Sequence, residues 1–142
     1  AEWLEADPRI SSVSWAGLAS HPHHERAERY LPLGPGAVFG FRVRGSEEVP
    51  AREVGARFIG AVQLASHLAN IGDSRTLVIH PASTTHQQLS AEQLEAAGVG
   101  EDLVRISVGL EDVEDILWDL DQALAEATGL TRDGTPGGGD DE

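Results

Sequence analysis

Arg105 stands in the middle of an alternating run, Leu103-Val-Arg-Ile-Ser-Val-Gly-Leu110. Successive residues of a strand point to opposite faces, so its guanidinium leaves the sheet on the face opposite Val104 and Ile106. A planar fork of donors on a rigid strand suits two-pronged recognition of a carboxylate. An exposed sheet-face arginine without a ligand has the same pattern. Asn70-Ile-Gly-Asp73 reads as a helix end. Asn and Gly there tolerate left-handed backbone. A C-cap and turn explain Gly72 and leave Asn70 free for another role. His80-Pro-Ala-Ser-Thr-Thr-His86 gathers hydroxyls and two imidazoles behind a short strand and can line a polar site. His21-Pro-His23-His24 invites a metal, but its spacing matches no zinc pattern and no HExxH helix is present, so no metal is expected. A Ser-His-Asp set lacks a Gly-x-Ser-x-Gly elbow. There is no P-loop and no Gly-x-Gly-x-x-Gly motif.

These residues need elements to hold them. Residues 1–7 read as a helix closed by Pro8, Ile10 to Trp15 as a short strand, and His23 to Leu31 as a short polar helix. Ala37 to Arg44 alternates, with Val38, Phe41 and Val43 against Gly40, Arg42 and Arg44, as a strand with one buried face does. Pro50 to Ala69 reads as the longest helix, on the spacing of Val54, Phe58, Ile59, Val62, Ala65 and Leu68. Thr76 to His80 is a strand stopped by Pro81. Ser90 with Gln93 forms a capping box for a helix ending at Gly98. Leu103 to Leu110 is the strongest strand. Glu111 to Ala127 is a second amphipathic helix, striped by Val113, Ile116, Leu117, Leu120 and Leu124, with acids in its first turn. From Gly129 the pattern stops, and residues 129–142 read as a disordered acidic, Gly-rich tail. The expectation is an α+β, two-layer domain: a mainly antiparallel, four-stranded sheet with helices on one face and the other face free.

Composition bounds the chemistry. All ten positive residues are arginine, and lysine, methionine and cysteine are absent. This chain therefore offers no amine for a Schiff base and no thiolate. It begins at Ala1 inside a helical stretch, so it is expected to be a piece of a longer protein. The net charge is −14 at pH 7. Residues 92–142 hold fifteen acids against two arginines, a surface that repels phosphates and anionic lipids. Nucleic acid and membrane are thus not expected partners, and no apolar run approaches the roughly 20 residues needed to span a bilayer. The lack of cysteine fits a cytoplasmic setting.

Two segments go beyond pattern. Leu68-Ala-Asn-Ile-Gly-Asp-Ser-Arg-Thr-Leu-Val-Ile-His-Pro-Ala-Ser-Thr-Thr-His86 and Leu103-Val-Arg-Ile-Ser-Val-Gly-Leu-Glu-Asp-Val-Glu-Asp115 closely resemble the C-terminal domain of the Cys/Met-metabolism family of pyridoxal-phosphate enzymes. Trp3-Leu4, Val13, Gly17-Leu18, Glu25-Arg-Ala27 and Tyr30-Leu-Pro32 fit the same family, over residues 1–128 in all. The resemblance is strongest to the O-acetylhomoserine sulfhydrylase branch. It implies the small domain of an aspartate-aminotransferase-like fold. It implies that Arg105 binds the α-carboxylate of an amino-acid substrate, with Asn70 and Thr76 as secondary contacts and Ser83, Thr84 and His86 on the approach. It implies pyridoxal 5′-phosphate as the electron sink of the intact enzyme, which eliminates acetate from O-acetylhomoserine and adds sulfide to give homocysteine. The lysine and the other cofactor-binding residues would lie in a missing N-terminal domain, so this chain holds no catalytic residue and is inactive alone. Apolar surface including Trp3 and Trp15 would meet that domain or a neighbouring subunit of a homotetramer. A non-catalytic binding module of the same fold, and a sister enzyme such as cystathionine γ-synthase or γ-lyase, are the alternatives.

Overall fold

The computed structural model describes residues 1–137. The elements in order are α1 (Glu2–Glu5), β1 (Ile10–Ser14), α2 (His24–Tyr30), β2 (Val38–Val43), α3 (Ala51–Ala61), β3 (Ser66–His67), β4 (Leu77–Ile79), a 3-10 turn (Pro81–Ser83), α4 (Ala91–Ala96), β5 (Leu103–Ser107) and α5 (Val113–Thr128). One five-stranded sheet runs in the order β1-β2-β5-β4-β3. Neighbours are antiparallel except β3 and β4, which are parallel. The expected four-stranded sheet is thus corrected to a five-stranded mixed one. The added strand has only two residues, too few for an alternation to show.

Phe41 and Val43 of β2, Val78 of β4, and Val104 and Ile106 of β5 share the inner face of the sheet. Against them lie Val54, Phe58 and Ile59 of α3 and Ile116, Leu120 and Leu124 of α5. Phe41 and Phe58 meet edge to face, with centroids 5.7 Å apart. Buried apolar area of this kind supplies the main favourable term in folding. Both long helices lie on this inner side, as two-layer packing requires.

The long helix expected over Pro50–Ala69 ends at Ala61. The buried carboxylate of Asp119, on α5, stops it. Its oxygens accept the backbone N–H groups of Gln63, Leu64 and Ala65 at 2.7, 3.0 and 2.8 Å. These amides are drawn out of the helical ladder, and the chain continues extended into β3. The helical spacing of Val62, Ala65 and Leu68 was therefore coincidental: they lie in the extended stretch around β3, outside any helix. Asn70-Ile-Gly-Asp73 is consequently a loop between β3 and β4, not a helix end. In α5 the stripe is shifted: Val113 is exposed, and Asp119 and Ala123 take buried positions.

The first and last elements are joined by Arg9, which is 1% exposed. Its Nε and Nη2 donate to the two oxygens of Asp7 at 2.9 and 2.7 Å. Nη2 also reaches Asp121 Oδ1, and Nη1 donates to the carbonyls of Asp121 and Leu130. Gly129, at φ 71°, caps α5. Beyond it Leu130 bridges Pro136 and Thr131 N–H donates to the Thr135 carbonyl at 2.8 Å. Residues 129–137 thus form a closed turn, where a disordered tail was expected. Polar side chains build it: Asp133 accepts from the Thr135 hydroxyl at 2.8 Å. The remainder of the expected tail, 138–142, lies outside the described residues.

Candidate functional site: the outer face of the sheet

Residues paired across neighbouring strands share a face. Arg105 pairs with Gly40 of β2 on one side and Ile79 of β4 on the other. The pairs Val38–Ser107 and Arg42–Leu103 lie on the same face, opposite the core. Gly40 has no side chain, so the floor beside Arg105 stays low. A concavity of about 740 Å³ opens here, lined among others by Arg105, Gly40, Ile79, Pro81, Thr85 and His86.

Arg105 makes a single long hydrogen bond, Nη2 to the Asn70 carbonyl at 3.4 Å. Among the described residues no carboxylate forms an ion pair with it, whereas Arg42 on the same face is matched by Asp102 at 2.7 Å. Most donors of the Arg105 fork therefore face the concavity without a protein acceptor.

The structure brings Asn70 to Arg105, through its backbone. The Asn70 side chain turns inward on its own loop, its Oδ1 accepting from Ile71 N–H at 2.8 Å. Gly72, at φ 78°, supplies the left-handed step of that loop, and its N–H donates to Ser107 Oγ on the site face at 3.3 Å. This loop is thus clipped to the strand that carries Arg105.

Thr76 is placed elsewhere. It is fully buried, its N–H and Oγ1 donate to the two oxygens of Glu111 at 2.7 and 2.8 Å, and its Oγ1 accepts from Gly109 N–H at 3.0 Å. Its hydroxyl is fully occupied in joining the start of β4 to the entry of α5. Burial would raise the Glu111 carboxyl, but the Thr76 hydrogen bonds outweigh it and hold the group below its ordinary range.

The segment from Pro81 to His86 forms one wall. His86 N–H donates to the Pro81 carbonyl at 2.9 Å, and the Thr85 hydroxyl lies 2.7 Å from His86 Nδ1. Thr85 and His86 therefore present polar atoms to the concavity. Ser83 and Thr84 instead engage His80, which is fully buried on the inner side. Sequence reading assigned no part to Arg42 and left His80 in the polar segment. Arg42 shares the parity of Gly40 along β2, so alternation placed it on this face. The burial of His80 had a weaker signal: it precedes Pro81 at the end of an apolar strand.

The histidines at 21, 23 and 24 form no ligand set. No group of three or more metal-binding side chains occurs among the described residues. His24 Nδ1 instead lies 3.0 Å from the Ala16 carbonyl. Among the described residues no helix is long and apolar enough to cross a membrane.

Comparison with known proteins agrees with this architecture. Residues 1–125 match the family described as Cys/Met metabolism PLP-dependent enzyme. The chain is 51% identical over 125 residues to O-acetyl-L-homoserine sulfhydrylase 1 of Thermus thermophilus, covering 88% of this chain and 28% of that protein. It is 47% identical over 130 residues to the homocysteine/cysteine synthase of Kluyveromyces lactis, covering 88% of this chain and 29% of that protein. A solved structure described as an O-acetylhomoserine (thiol)-lyase of Campylobacter jejuni, carrying N′-pyridoxyl-lysine-5′-monophosphate, superposes with a TM-score of 0.76 at 37% identity. That match covers 87% of this chain and 28% of the solved chain. This chain spans less than a third of the length of the curated relatives it matches. With a family match over nearly its whole described length, the chain belongs to the Cys/Met-metabolism family of pyridoxal-phosphate-dependent enzymes.

Proposed function

We propose that this chain is the C-terminal segment of an O-acetylhomoserine sulfhydrylase, and that it supplies the wall that binds the substrate carboxylate. The observation that carries this reading is Arg105: a guanidinium on a rigid central strand, beside the glycine Gly40, facing a concavity of about 740 Å³ with no ion-pair partner among the described residues. An unmatched cation on a half-buried surface favours an anionic ligand, and the fork fits a carboxylate in two-pronged fashion. The Asn70 loop and the Thr85–His86 wall flank that position. Asn70 contributes through its loop, and Thr76 through the stability of β4.

The chain's own residues do not fit pyridoxal phosphate as its holder. No lysine exists to form the Schiff base, and the only unmatched cation on the site face is Arg105 among the described residues. The cofactor would be held by other parts of the intact enzyme, and no chemical step is assigned to residues of this segment. Their contribution is positioning. A carboxylate anchored at one end fixes the distance of the substrate's side chain from the reacting centre, which lowers the entropic part of the barrier. The segment alone is inactive in this reading. The intact enzyme is homo-oligomeric and cytoplasmic, with the grooved surface around Trp3, Trp15, Val113 and Leu117 covered by its other parts.

The test is homocysteine formation by the intact enzyme from O-acetyl-L-homoserine and sulfide, compared with cysteine as the nucleophile. Turnover with sulfide is expected to dominate. A preference for cysteine, giving cystathionine, would move the protein to a sister branch of the family.

A further inference from the structure

One buried group lies beneath the wall and does not line the concavity. His80 is fully buried. Its neighbour Ile79 faces the concavity side, so the imidazole projects to the inner side, against Gly55 of α3. A Cβ placed on Gly55 would stand 2.6 Å from His80 Nε2. Both ring nitrogens are engaged. Nε2 lies 2.7 Å from the Glu101 carbonyl and Nδ1 2.9 Å from Ser83 Oγ. A carbonyl only accepts, so Nε2 carries the hydrogen and Nδ1 accepts from the Ser83 hydroxyl. The ring is neutral in this arrangement. Thr84 Oγ1 donates to the His80 carbonyl at 2.9 Å. One residue thus ties three parts together: α3, the loop that enters β5 at Glu101, and the turn that begins the Pro81–His86 wall. β5 carries Arg105, and the wall lines the concavity above it.

We propose that His80 is a positioning residue for the carboxylate site: its neutral, Nε2-protonated imidazole sets the wall at 81–86 against Arg105, and a second proton on the ring releases the wall and weakens carboxylate binding. The inference rests on the reading of Arg105 as the carboxylate anchor.

The hydrogen-bond arithmetic gives the reason. A second proton makes Nδ1 a donor. Ser83 Oγ must then accept, and its own hydrogen must turn to the His80 carbonyl, 3.2 Å away. That carbonyl already accepts from Thr84 Oγ1 and from Ser83 N–H, the latter at 3.1 Å, so both of its lone pairs are taken. The turn that sets the wall is rebuilt by this exchange, and a charge appears on the core side of the sheet. Burial is the largest influence on the ring and pushes its pKa below the ordinary imidazole value. Arg52 of α3 acts in the same direction, while the Glu101 carbonyl and the charges of Asp102 and Glu101 oppose it. Arg105 leaves β5 on the opposite face of the sheet. The wall is therefore set through neutral pH and released only in acid.

The experiment follows Arg105 Nε–H and the His86 amide by NMR in the intact enzyme, isotope-labelled in this segment and freed of cofactor so that no turnover occurs, while O-acetyl-L-homoserine is added at roughly pH 7.5 and pH 5, on either side of the imidazole range. In the native chain the affinity is expected to fall about threefold or more towards acid, with the His86 amide moving at the midpoint of the His80 ring itself. In His80→Gln an amide N–H stands near the place of Nε2–H and position 80 no longer titrates. Its affinity is expected within about twofold of native at neutral pH and flat into acid. His80→Ala should bind weakly at both. The proposal is overturned if His80→Gln keeps the native pH dependence, or if His80→Ala binds like the native chain. Failure of the Arg105 signal to respond to ligand in any variant would instead bring down the carboxylate reading beneath it.

Discussion

Glu111 grips Thr76 at both of its donors, backbone N–H to one carboxylate oxygen and hydroxyl to the other. The contact joins the residue before β4 to the entry of α5, and it is sealed from solvent on the threonine side. Thr76→Val keeps the shape, removes the hydroxyl, and leaves Gly109 N–H and one Glu111 oxygen short of a partner. A loss of about 1–3 kcal/mol is expected, read as a lower denaturation midpoint with unchanged slope. The KM of the intact enzyme for its amino-acid substrate should stay near native. A large rise in KM without loss of stability would restore Thr76 as a substrate contact.

Acid should act through the same pair. The Glu111 carboxyl is held below its ordinary range in the folded chain. Its stabilising contribution is thus present above the unfolded value and is lost as pH falls through the lower folded one. Thermal melting of the native chain should decline as pH drops from about 5 towards 3. The difference between native and Glu111→Gln should be largest near neutrality and narrow in that window. Parallel curves for the two chains would show that other carboxyls carry the acid sensitivity.

Arg105→Lys keeps the charge and loses the fork. In the intact enzyme kcat/KM for O-acetyl-L-homoserine should drop by the equivalent of about 1.5–3 kcal/mol, from the loss of a charge-assisted hydrogen bond. Stability should change little, since no ion pair with Arg105 occurs among the described residues and its one hydrogen bond is 3.4 Å long. Native kcat/KM in this variant would remove Arg105 as the anchor.

Gly55→Ala sets two effects against each other. Alanine favours a helix interior over glycine by about 1 kcal/mol. The added methyl meets the His80 ring at 2.6–2.7 Å, and the ring is locked at both nitrogens. Overpacking of a well-packed core costs about 1–3 kcal/mol, so the net change is expected to be destabilising. A raised melting temperature would mean that the ring moves freely.

The elements that carry the site were legible because β5 and the second half of β2 alternate, which fixed the face of Arg105. Val38, expected with the buried set of Phe41 and Val43, lies instead on the outer face with Gly40 and Arg42, because two apolar residues in a row leave the parity of the strand's start open. The capping box at Ser90 was equally plain, and both of its hydrogen bonds are present. What sequence concealed depends on partners far along the chain. The end of α3 is decided by Asp119, more than fifty residues later, and no local residue signals it. Thr76 looked available because its captor Glu111 reads as an ordinary first-turn acid of a helix. His80 looked like part of a polar rim because hydroxyls and a second imidazole follow it, and they outweighed the apolar strand that precedes it.

Arg9 sets when this segment can finish folding. All five N–H groups of its guanidinium have acceptors, and those on Asp121 and Leu130 lie 112 and 121 residues further along the chain. A buried arginine lacking them would be strongly unfavourable. During synthesis β1 emerges early, but its neighbouring arginine has nowhere to settle until Leu130 has followed. The fold should therefore close late and nearly all at once, with the two ends of the described segment meeting in a single step.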